Sequence, residues 1–392
     1  MGEADSNTNI RVLVSLTDPR VGGPQRSSLE VADLLTDEGI DTEFLIPAGS
    51  GEFAELAEER GYSVHCPVVR RLHPPKQIFS NIEYVFKFPM EVRKILKIIE
   101  ERDIDIVNAR MTINFHAIIA AIISNSSLVW HFNGIGIPKP MARICSTLAQ
   151  RYADKVVVSA ENVVDYYNFD KDEHLTKIYP TVDTDKFCEA GVGHPNISKF
   201  INDENLTLLG LVGNINPIKG YKLFIRAFED VVNERENVIA LIAGQKLSTQ
   251  ESYYNNLLNI IEKKNLEDKI QFLDWIENIK HFFSGIDLFV MPSHKETGPM
   301  TLMEAMAMEK PIVTTNVGVV PEQLHHGEHA WIVEPGNASQ LADTINWALN
   351  NRDSWEFIGS NARKCAMEHF SLEIAAKRYL CVYNRTMNHN SY

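Results

Sequence analysis

Two carboxylates flank a Gly-Pro pair in residues 293–304, whose sequence is SHKETGPMTLME. Gly298 and Pro299 separate Glu296 from Glu304 and disfavour one continuous helix through both. Apolar residues precede and follow the stretch, so the pattern predicts a strand, a loop and a buried helix. The loop would let both carboxylates face one ligand beside the helix N-terminus, where backbone N–H groups attract a phosphate. The alternative is a solvated Glu296 and an ordinary first-turn Glu304.

Glycine loops in the second half of the chain add a lysine to the same region. One loop begins with Gly213 and Asn214 after an apolar run and carries Lys219. Ligands of parallel sheets bind at the carboxyl edge, where this loop and the loop of Glu296 are both expected. An ammonium group there suits a diphosphate, and Gly244 ends another apolar run at that edge. The alternative for Lys219 is an ordinary surface lysine.

The first half offers a glycine pair and a histidine. Gly22 and Gly23 follow the first predicted strand, and a helix is expected from Ser27. Paired glycines let backbone approach a ligand closely, although they also occur in ordinary turns. His131 lies in the predicted strand 128–132, where its imidazole would either hydrogen-bond a sugar hydroxyl or serve the structure of the strand end.

Short apolar runs alternate with amphipathic helical patterns in both halves, which is typical of parallel, doubly wound α/β sheets. The predicted strands are 10–17, 42–47, 104–108, 128–132, 155–159, 206–212, 238–243, 270–273, 288–291, 312–315 and 330–333, and the predicted helices include 53–60, 89–102, 221–233 and 372–387. Each half opens with a strand and a glycine loop, so we expect two Rossmann-like domains facing one cleft. We expect domains at 1–185 and 186–370, a connection running to about Asn205, and a helix in 371–392 that crosses back to the first domain.

Composition and charge restrict the class of partner. The 392 residues carry 38 Lys and Arg against 52 Asp and Glu, and this net charge of −14 argues against a general nucleic-acid binder. The five cysteines form no close pair, so neither a disulfide framework nor a zinc site is indicated. A polar N-terminus without an apolar signal segment, and the lack of about 20 consecutive apolar residues, predict a cytoplasmic protein that does not span a membrane.

One stretch departs from the acidic character of the chain. Residues 70–97 hold seven cations and two glutamates, and Phe79, Tyr84, Phe86 and Phe88 lie between them. Interleaved basic and aromatic residues suit an anionic membrane surface, which would make the protein peripheral on the inner face of the membrane. The alternative is a solvated helix face with some aromatic residues in the core.

Together these stretches resemble the retaining glycosyltransferases of the GT-B fold, specifically glycosyltransferase family 4, the glycosyl transferases group 1. Residues 296–304 match the family's E-x7-E motif, and the family pattern continues through Ala305-Met306-Ala307, Pro311-Ile312-Val313, Gly318 and Pro321-Glu322. Weaker matches are Gly22-Gly23, His131, Val158-Ser159 and the linker from Val182-Asp183 to Phe187. The order and spacing of these matches along nearly the whole chain make the resemblance specific.

The resemblance implies a nucleotide-diphospho-sugar donor, a glycan, polysaccharide or lipid-linked acceptor, and neither a metal nor a cofactor. Glu296 would contact the donor sugar and Glu304 the ribose hydroxyls, while Lys219 would neutralise the leaving diphosphate. His131 would bind a hydroxyl of the transferred sugar. The other residues implied in donor binding are Gly22, Gly23, Gly213, Asn214, Gly244, Gly298, Pro299, Met300, Thr301 and Leu302, the last three through backbone N–H groups.

Three positions depart from the family pattern. Gly213-Asn214-Ile215 replaces a common Gly-Arg-Leu and removes a second cation, for which Arg20, Arg26 and Lys246 are candidate substitutes. Gly244-Gln245-Lys246 replaces Gly-Asp-Gly, and Glu309 stands where glycine is usual. The alternative functions are a sugar-nucleotide epimerase or hydrolase of the same architecture and a non-catalytic two-lobed sugar-binding protein. A dehydrogenase fits poorly, since neither glycine loop reads G-x-G-x-x-G.

Overall fold

The computed structural model describes residues 9–49, 51–73, 77–188, 200 and 205–389. Contacts divide the chain into two compact units, called here unit 1 (Met1–Pro180 with Leu372–Tyr392) and unit 2 (Thr181–Ser371). Most of the predicted interdomain connection lies outside the described residues, as does Lys76 of the basic stretch. Among the described helices, none combines the length and the apolar character needed to cross a membrane.

Unit 1 is built on a seven-stranded parallel sheet with the order β3-β2-β1-β4-β5-β6-β7. The strands are β1 (Ile10–Ser15), β2 (Ile40–Leu45), β3 (Ser63–His65), β4 (Ile106–Ala109), β5 (Ser127–Phe132), β6 (Lys155–Val158) and β7 (Leu175–Lys177). The helices are α1 (Gly23–Thr36), α2 (Glu52–Glu59), α3 (Ile78–Glu101), α4 (Phe115–Ser124), α5 (Lys139–Tyr152), α6 (Glu161–Tyr167) and, at the far end of the chain, α14 (Leu372–His389). The strand order reverses between β1 and β4, and ligands of such sheets bind beyond the carboxyl ends at that point.

Unit 2 repeats the plan with a six-stranded parallel sheet in the order β10-β9-β8-β11-β12-β13. The strands are β8 (Thr207–Val212), β9 (Val238–Ala243), β10 (Ile270–Leu273), β11 (Leu288–Met291), β12 (Ile312–Thr315) and β13 (Trp331–Val333). The α-helices are α7 (Tyr221–Glu234), α8 (Glu251–Lys263), α9 (Ile279–Gly285), α10 (Met300–Ala307), α11 (Val320–Gln323), α12 (Ala338–Asn350) and α13 (Trp355–His369). Here the order reverses between β8 and β11.

Each unit has its own hydrophobic core. Helices cover both faces of each parallel sheet, so a central strand such as β9 is apolar and buried along its whole length. In unit 1, α14 adds Leu372, Tyr379, Val382 and Tyr383 to the core formed by the first strands and α1. The predicted α/β fold with two Rossmann-like parallel sheets is therefore confirmed.

The structure corrects the prediction at the ends of several elements. The helix predicted over 89–102 is the C-terminal part of a longer helix, since α3 begins at Ile78 and continues through Pro89. Buried Tyr84 before the proline and Val92 after it pack the two parts of the helix on one core. Helix α1 begins at Gly23 rather than Ser27. The short strands β3 and β7 were not predicted, because their residues are only partly buried or exposed and carry no apolar run.

Candidate functional site

The carboxyl edge of the unit 2 sheet collects most of the residues predicted to bind the donor. Strand β8 lies between β9 and β11, so the loops that follow these three strands are neighbours. Gly213 follows β8 and Gly244 follows β9, while Ser293 opens the loop after β11. Asn214 is exposed on the first of these loops, whereas the next residue, Ile215, is buried in the core.

Lys219 and Glu296 form an ion pair at this edge. The Lys219 Nζ atom lies 2.7 Å from Oε1 of Glu296, and the hydroxyl of Ser293 donates to the same oxygen at 3.0 Å. Lys219 closes a short 3₁₀ turn that Asn216 caps, because the Asn216 side chain accepts from the Ile218 N–H at 3.0 Å. The lysine and glutamate predicted separately from two loops thus meet in one place, and both side chains are mostly buried.

Backbone contacts hold these loops against one another. The His294 N–H donates to the Ile218 carbonyl at 2.8 Å. Gly220 has a φ of +72°, and a Cβ atom there would overlap the carbonyl oxygen of Pro292. A Cβ atom on Gly244 would likewise overlap the carbonyl oxygen of Gly213. The glycines therefore allow the close approach that puts the Lys219 ammonium beside the Glu296 carboxylate.

Helix α10 starts directly after this loop, with Pro299 as its N-cap residue. The first N–H groups of a helix have no intrahelical acceptor, and those of Met300 and Thr301 fall in this first turn. The N–H of Leu302 donates to the Pro299 carbonyl at 3.0 Å. Within the described part of the chain, the buried hydroxyl oxygen of Thr301 has no hydrogen-bond partner. Gly298 and Pro299 thus separate Glu296 from a helix start that can receive an anion.

Glu304 lies one turn inside α10 and differs from Glu296 in its electrostatics. Burial raises the pKa of the Glu304 carboxyl to about 7, and the nearby positive charge of Lys186 opposes that rise in pKa only in part. An ordinary exposed glutamate in a first helical turn would not show this shift. The two carboxylates of the motif therefore have different surroundings, one paired with a lysine and one desolvated.

Gly22, Gly23 and His131 belong to unit 1. Gly22 is the N-cap residue of α1 and Gly23 its first residue, so the predicted glycine loop is shorter than expected. His131 is 1% exposed and its ring stacks on Tyr379 of α14 at 5.7 Å between centroids. Burial and then the Arg110 charge lower the pKa of the His131 imidazole well below its usual value. Contact between this ring and a sugar hydroxyl stays a prediction, and it requires movement of the residues that cover His131.

Unit 1 also contains a cavity of about 220 Å³ at the carboxyl ends of β1 and β2. Its polar lining includes Asp18, Arg71, Asn114 and His116, and Tyr84 contributes an aromatic wall. The Asn114 amide donates to both the carbonyl and the hydroxyl oxygen of Ser15, at 3.0 and 2.9 Å. This cavity lies at the edge of the sheet where ligands of such folds bind.

Sequence reasoning missed most residues of this cavity. Asn114 and His116 begin α4 just after β4, and two polar residues at the start of an apolar helix were the available signal. Lys246, a candidate second cation, lies 3.8 Å from Glu251 and 4.8 Å from the Tyr254 ring centre. Arg20, another candidate, pairs with Asp18 at 2.7 Å.

Two family models match the chain. The model for "Glycosyltransferase Family 4" matches residues 21–186, and the model for "Glycosyl transferases group 1" matches residues 195–365. The capsular polysaccharide biosynthesis glycosyltransferase CapM of Staphylococcus aureus is 31% identical over 192 residues, which are 47% of this chain and 47% of CapM. The chain thus matches about half the length of that relative.

Solved structures share the fold over almost the whole chain. Anabaena HepE in complex with UDP and glucose has a TM-score of 0.78 at 21% identity, covering 96% of this chain and 99% of HepE. Sucrose-phosphate synthase from Thermosynechococcus elongatus has a TM-score of 0.80 at 15% identity, covering 97% of this chain and 100% of that protein. At these identities the likeness concerns the fold alone.

Proposed function

Because the chain belongs to glycosyltransferase family 4 and has the GT-B fold, we propose that it moves a sugar from a nucleotide-diphospho-sugar donor to a glycan, polysaccharide or lipid-linked acceptor. The observation that carries this proposal is the ion pair between Lys219 and Glu296 beside the N-terminus of α10. A cation, a carboxylate and unpaired helix N–H groups at one sheet edge suit a sugar joined to a diphosphate.

Lys219 and Glu296 act on opposite ends of the bond that breaks. As the glycosidic bond to the diphosphate lengthens, negative charge grows on the departing phosphate and positive charge on the sugar ring. The Lys219 ammonium stabilises the former, while the Glu296 carboxylate accepts hydrogen bonds from the sugar hydroxyls. Before the donor binds, each side chain satisfies the charge of the other, so neither is left as an isolated charge in a mostly buried site.

The first turn of α10 holds the diphosphate in this proposal. The N–H groups of Met300 and Thr301 donate to phosphate oxygens, and the Thr301 hydroxyl supplies a further donor. Glu304, one turn further along, accepts hydrogen bonds from the ribose hydroxyls. We propose turnover without a divalent cation, because Lys219 and the helix N-terminus already bring positive charge to the leaving group.

The donor and acceptor classes rest on weaker support. HepE binds UDP and glucose, so uridine diphospho-sugars are the donors to test first. CapM is named for capsular polysaccharide biosynthesis, which favours a glycan acceptor, and the 220 Å³ cavity of unit 1 is the proposed acceptor pocket. Retention of the anomeric configuration is proposed from family membership.

The test is turnover of a panel of nucleotide-diphospho-sugars with glycan and lipid-linked acceptors, measured as released nucleoside diphosphate. Lys219→Ala and Glu296→Ala are each expected to lower kcat by about a hundredfold or more, the usual cost of removing one stabilising charge from a transition state. Lys263→Ala and Glu262→Ala change exposed residues of α8 and are the matched controls, with activity as in the unchanged chain.

The same assay also tests retention of configuration, independence of a metal and the two alternative functions. Proton NMR of the product reports the anomeric configuration, and EDTA is expected to leave the rate unchanged. Release of nucleoside diphosphate without a glycosidic product would indicate the hydrolase alternative, and binding of donors without turnover would indicate a sugar-binding protein. Full activity in both the Lys219 and the Glu296 variants would contradict the assignment of this site.

A further inference from the structure

Helix α3 is apolar on two sides. One side belongs to the core of unit 1, where Tyr84, Val92, Ile95 and Ile99 are buried. The other side faces solvent and also carries large apolar side chains. Its exposed members are Ile78, Phe79, Ile82, Val85, Phe86 and Met90, and Phe79 and Phe86 are 89% and 80% exposed.

The exposed apolar residues form one continuous face. Successive residues of a helix are rotated by about 100°, so spacings of three, four and seven residues fall on one side. Ile78, Ile82, Val85 and Phe86 follow this spacing, and Phe79 and Met90 extend the same side. We call these six residues the outer face of α3. Single exposed apolar residues are common on proteins, whereas a continuous patch of this kind marks a binding surface.

Basic residues accompany the outer face. Lys87, Arg93, Lys94 and Lys97 are all exposed on the same helix. The two glutamates of this stretch are held by one arginine of the preceding loop, because the Arg70 guanidinium pairs with Glu83 at 2.7 Å and with Glu91. Arg70 therefore anchors α3 and pairs with Glu83 and Glu91, rather than adding a cation to the surface. The other two acidic residues of α3, Glu100 and Glu101, lie in its last turn, where Glu101 pairs with Lys97 at 3.4 Å.

The apolar and basic residues of this surface together indicate which kind of partner it binds. An apolar face with cations beside it matches the boundary of an anionic bilayer, in which apolar side chains enter the acyl region and ammonium groups meet lipid phosphates. In residues 78–94 the three exposed cations Lys87, Arg93 and Lys94 outnumber the two glutamates, both of which pair with Arg70, so charge complementarity favours an anionic surface. An apolar protein partner would not require the basic residues.

We propose that the outer face of α3 docks the protein on an anionic membrane surface, with Phe79 and Phe86 as the inserted side chains and Lys87, Arg93 and Lys94 as the contacts to lipid headgroups. The inner side of the same helix contributes Tyr84 and Ile95 to the wall of the unit 1 cavity. Docking would thus bring that cavity close to the lipid surface. The docking itself does not depend on the proposed enzymatic function.

The test is flotation of the full chain with vesicles of pure phosphatidylcholine or of phosphatidylcholine with 30% phosphatidylglycerol, about one anionic lipid in three. We expect binding to the anionic vesicles and a decrease in binding as salt is added. Phe79→Ser with Phe86→Ser should lower the partition coefficient about tenfold or more, since two aromatic side chains no longer enter the bilayer. Lys87→Gln with Lys94→Gln should lower it for anionic vesicles only.

Matched variants control for exposure and charge elsewhere. Phe357→Ser removes an exposed aromatic residue of α13, and Lys263→Gln with Lys364→Gln removes two exposed cations of unit 2. Both should float as the unchanged chain does. Equal flotation with and without phosphatidylglycerol would overturn the proposal, as would full binding by the Phe79 and Phe86 variant. Light scattering that shows a dimer converted to a monomer by that variant would assign the face to a second copy and overturn it too.

Discussion

Glu309 stands where the family usually has glycine, and its backbone has a conformation that favours glycine. It has a φ of +53°, in the left-handed region where glycine is favoured. Its N–H donates to the Met306 carbonyl at 3.0 Å, and the N–H of Lys310 donates to the Ala305 carbonyl at 3.0 Å. This pair of bonds is the Schellman motif that ends α10, and glycine is the usual residue at the left-handed position. The left-handed backbone at this position therefore explains why the family usually has glycine there.

Replacement of Glu309 by glycine is expected to stabilise unit 2. Glu309→Ala is the matched control, because it removes the same ion pair with Arg363, 3.6 Å away, and keeps a Cβ atom in the left-handed conformation. We expect Glu309→Gly to be about 1 kcal/mol more stable than Glu309→Ala, the approximate cost of a Cβ atom in that region. Urea unfolding of both variants measures the difference. Equal stability of the two would contradict the account.

At the scale of single side chains, the sequence predicts that Lys219 and Glu296 lie at the same edge of a sheet, but not that their side chains are in contact. The loop positions of Lys219 and Glu296 follow from the alternation of strands and helices. Their direct pairing depends on the turn capped by Asn216 and on the rotamer of each side chain, which no periodicity encodes. Arg70 shows the same limit. It belongs to the basic stretch predicted to meet a membrane, yet its guanidinium pairs with the buried carboxylate of Glu91.

At the scale of secondary-structure elements, the loop after β8 packs directly on the loop after β11, because Gly220 lies against the backbone of Pro292. Gly220→Ala should push these loops apart and break the contact between Lys219 and Glu296. Gly327→Ala is the matched control, since Gly327 has a similar φ of +78° and open space around it. We expect the control to lose about 1 kcal/mol of stability from backbone strain and the Gly220 variant about 2 kcal/mol more from overlap.

Two measurements check this prediction. Urea unfolding gives the stabilities, and calorimetry with a nucleoside diphosphate gives the affinity of the unit 2 site. The Gly220 variant should bind the diphosphate more weakly, while the Gly327 variant should bind it as the unchanged chain does. Equal losses of stability and equal affinities in the two variants would show that overlap with Pro292 has no effect.

The elements that the sequence predicts best are strands of unit 2 that form short apolar runs. Strands β9, β10, β11 and β12 have the predicted bounds, because apolar runs closed by glycine, proline or polar residues leave few alternatives. The short strand β3 carries no such run, because its three residues are only partly buried or exposed. The helix predicted over 89–102 covers only part of α3, because proline usually interrupts a helix, whereas here buried side chains on both sides of Pro89 keep the helix continuous.

At the scale of the whole molecule, unit 1 is formed from both ends of the chain. The sequence predicts a closing helix over 372–387 that returns to the first domain, but not which of its side chains enter the core, because local patterns do not encode long-range contacts. Helix α14 buries Leu372, Tyr379, Val382 and Tyr383 in unit 1. The Tyr383 hydroxyl also accepts a hydrogen bond from Asn108 at 2.6 Å, and Tyr379 accepts one from Arg110. Unit 2, in contrast, is a continuous segment.

A chain that ends at Ser371 should therefore lose the fold of unit 1 and keep that of unit 2. Each large apolar side chain of α14 contributes about 1.5–3 kcal/mol by burial. The four together contribute about 6–12 kcal/mol, which is comparable to the roughly 5–15 kcal/mol by which domains are usually stable. Limited proteolysis followed by mass spectrometry should show rapid cleavage within 9–180 and resistance within 205–371. A fragment of residues 181–371 is the control and should unfold cooperatively by itself. Equal protease resistance of 9–180 with and without α14 would refute the prediction, because the helix would then be dispensable to the core of unit 1.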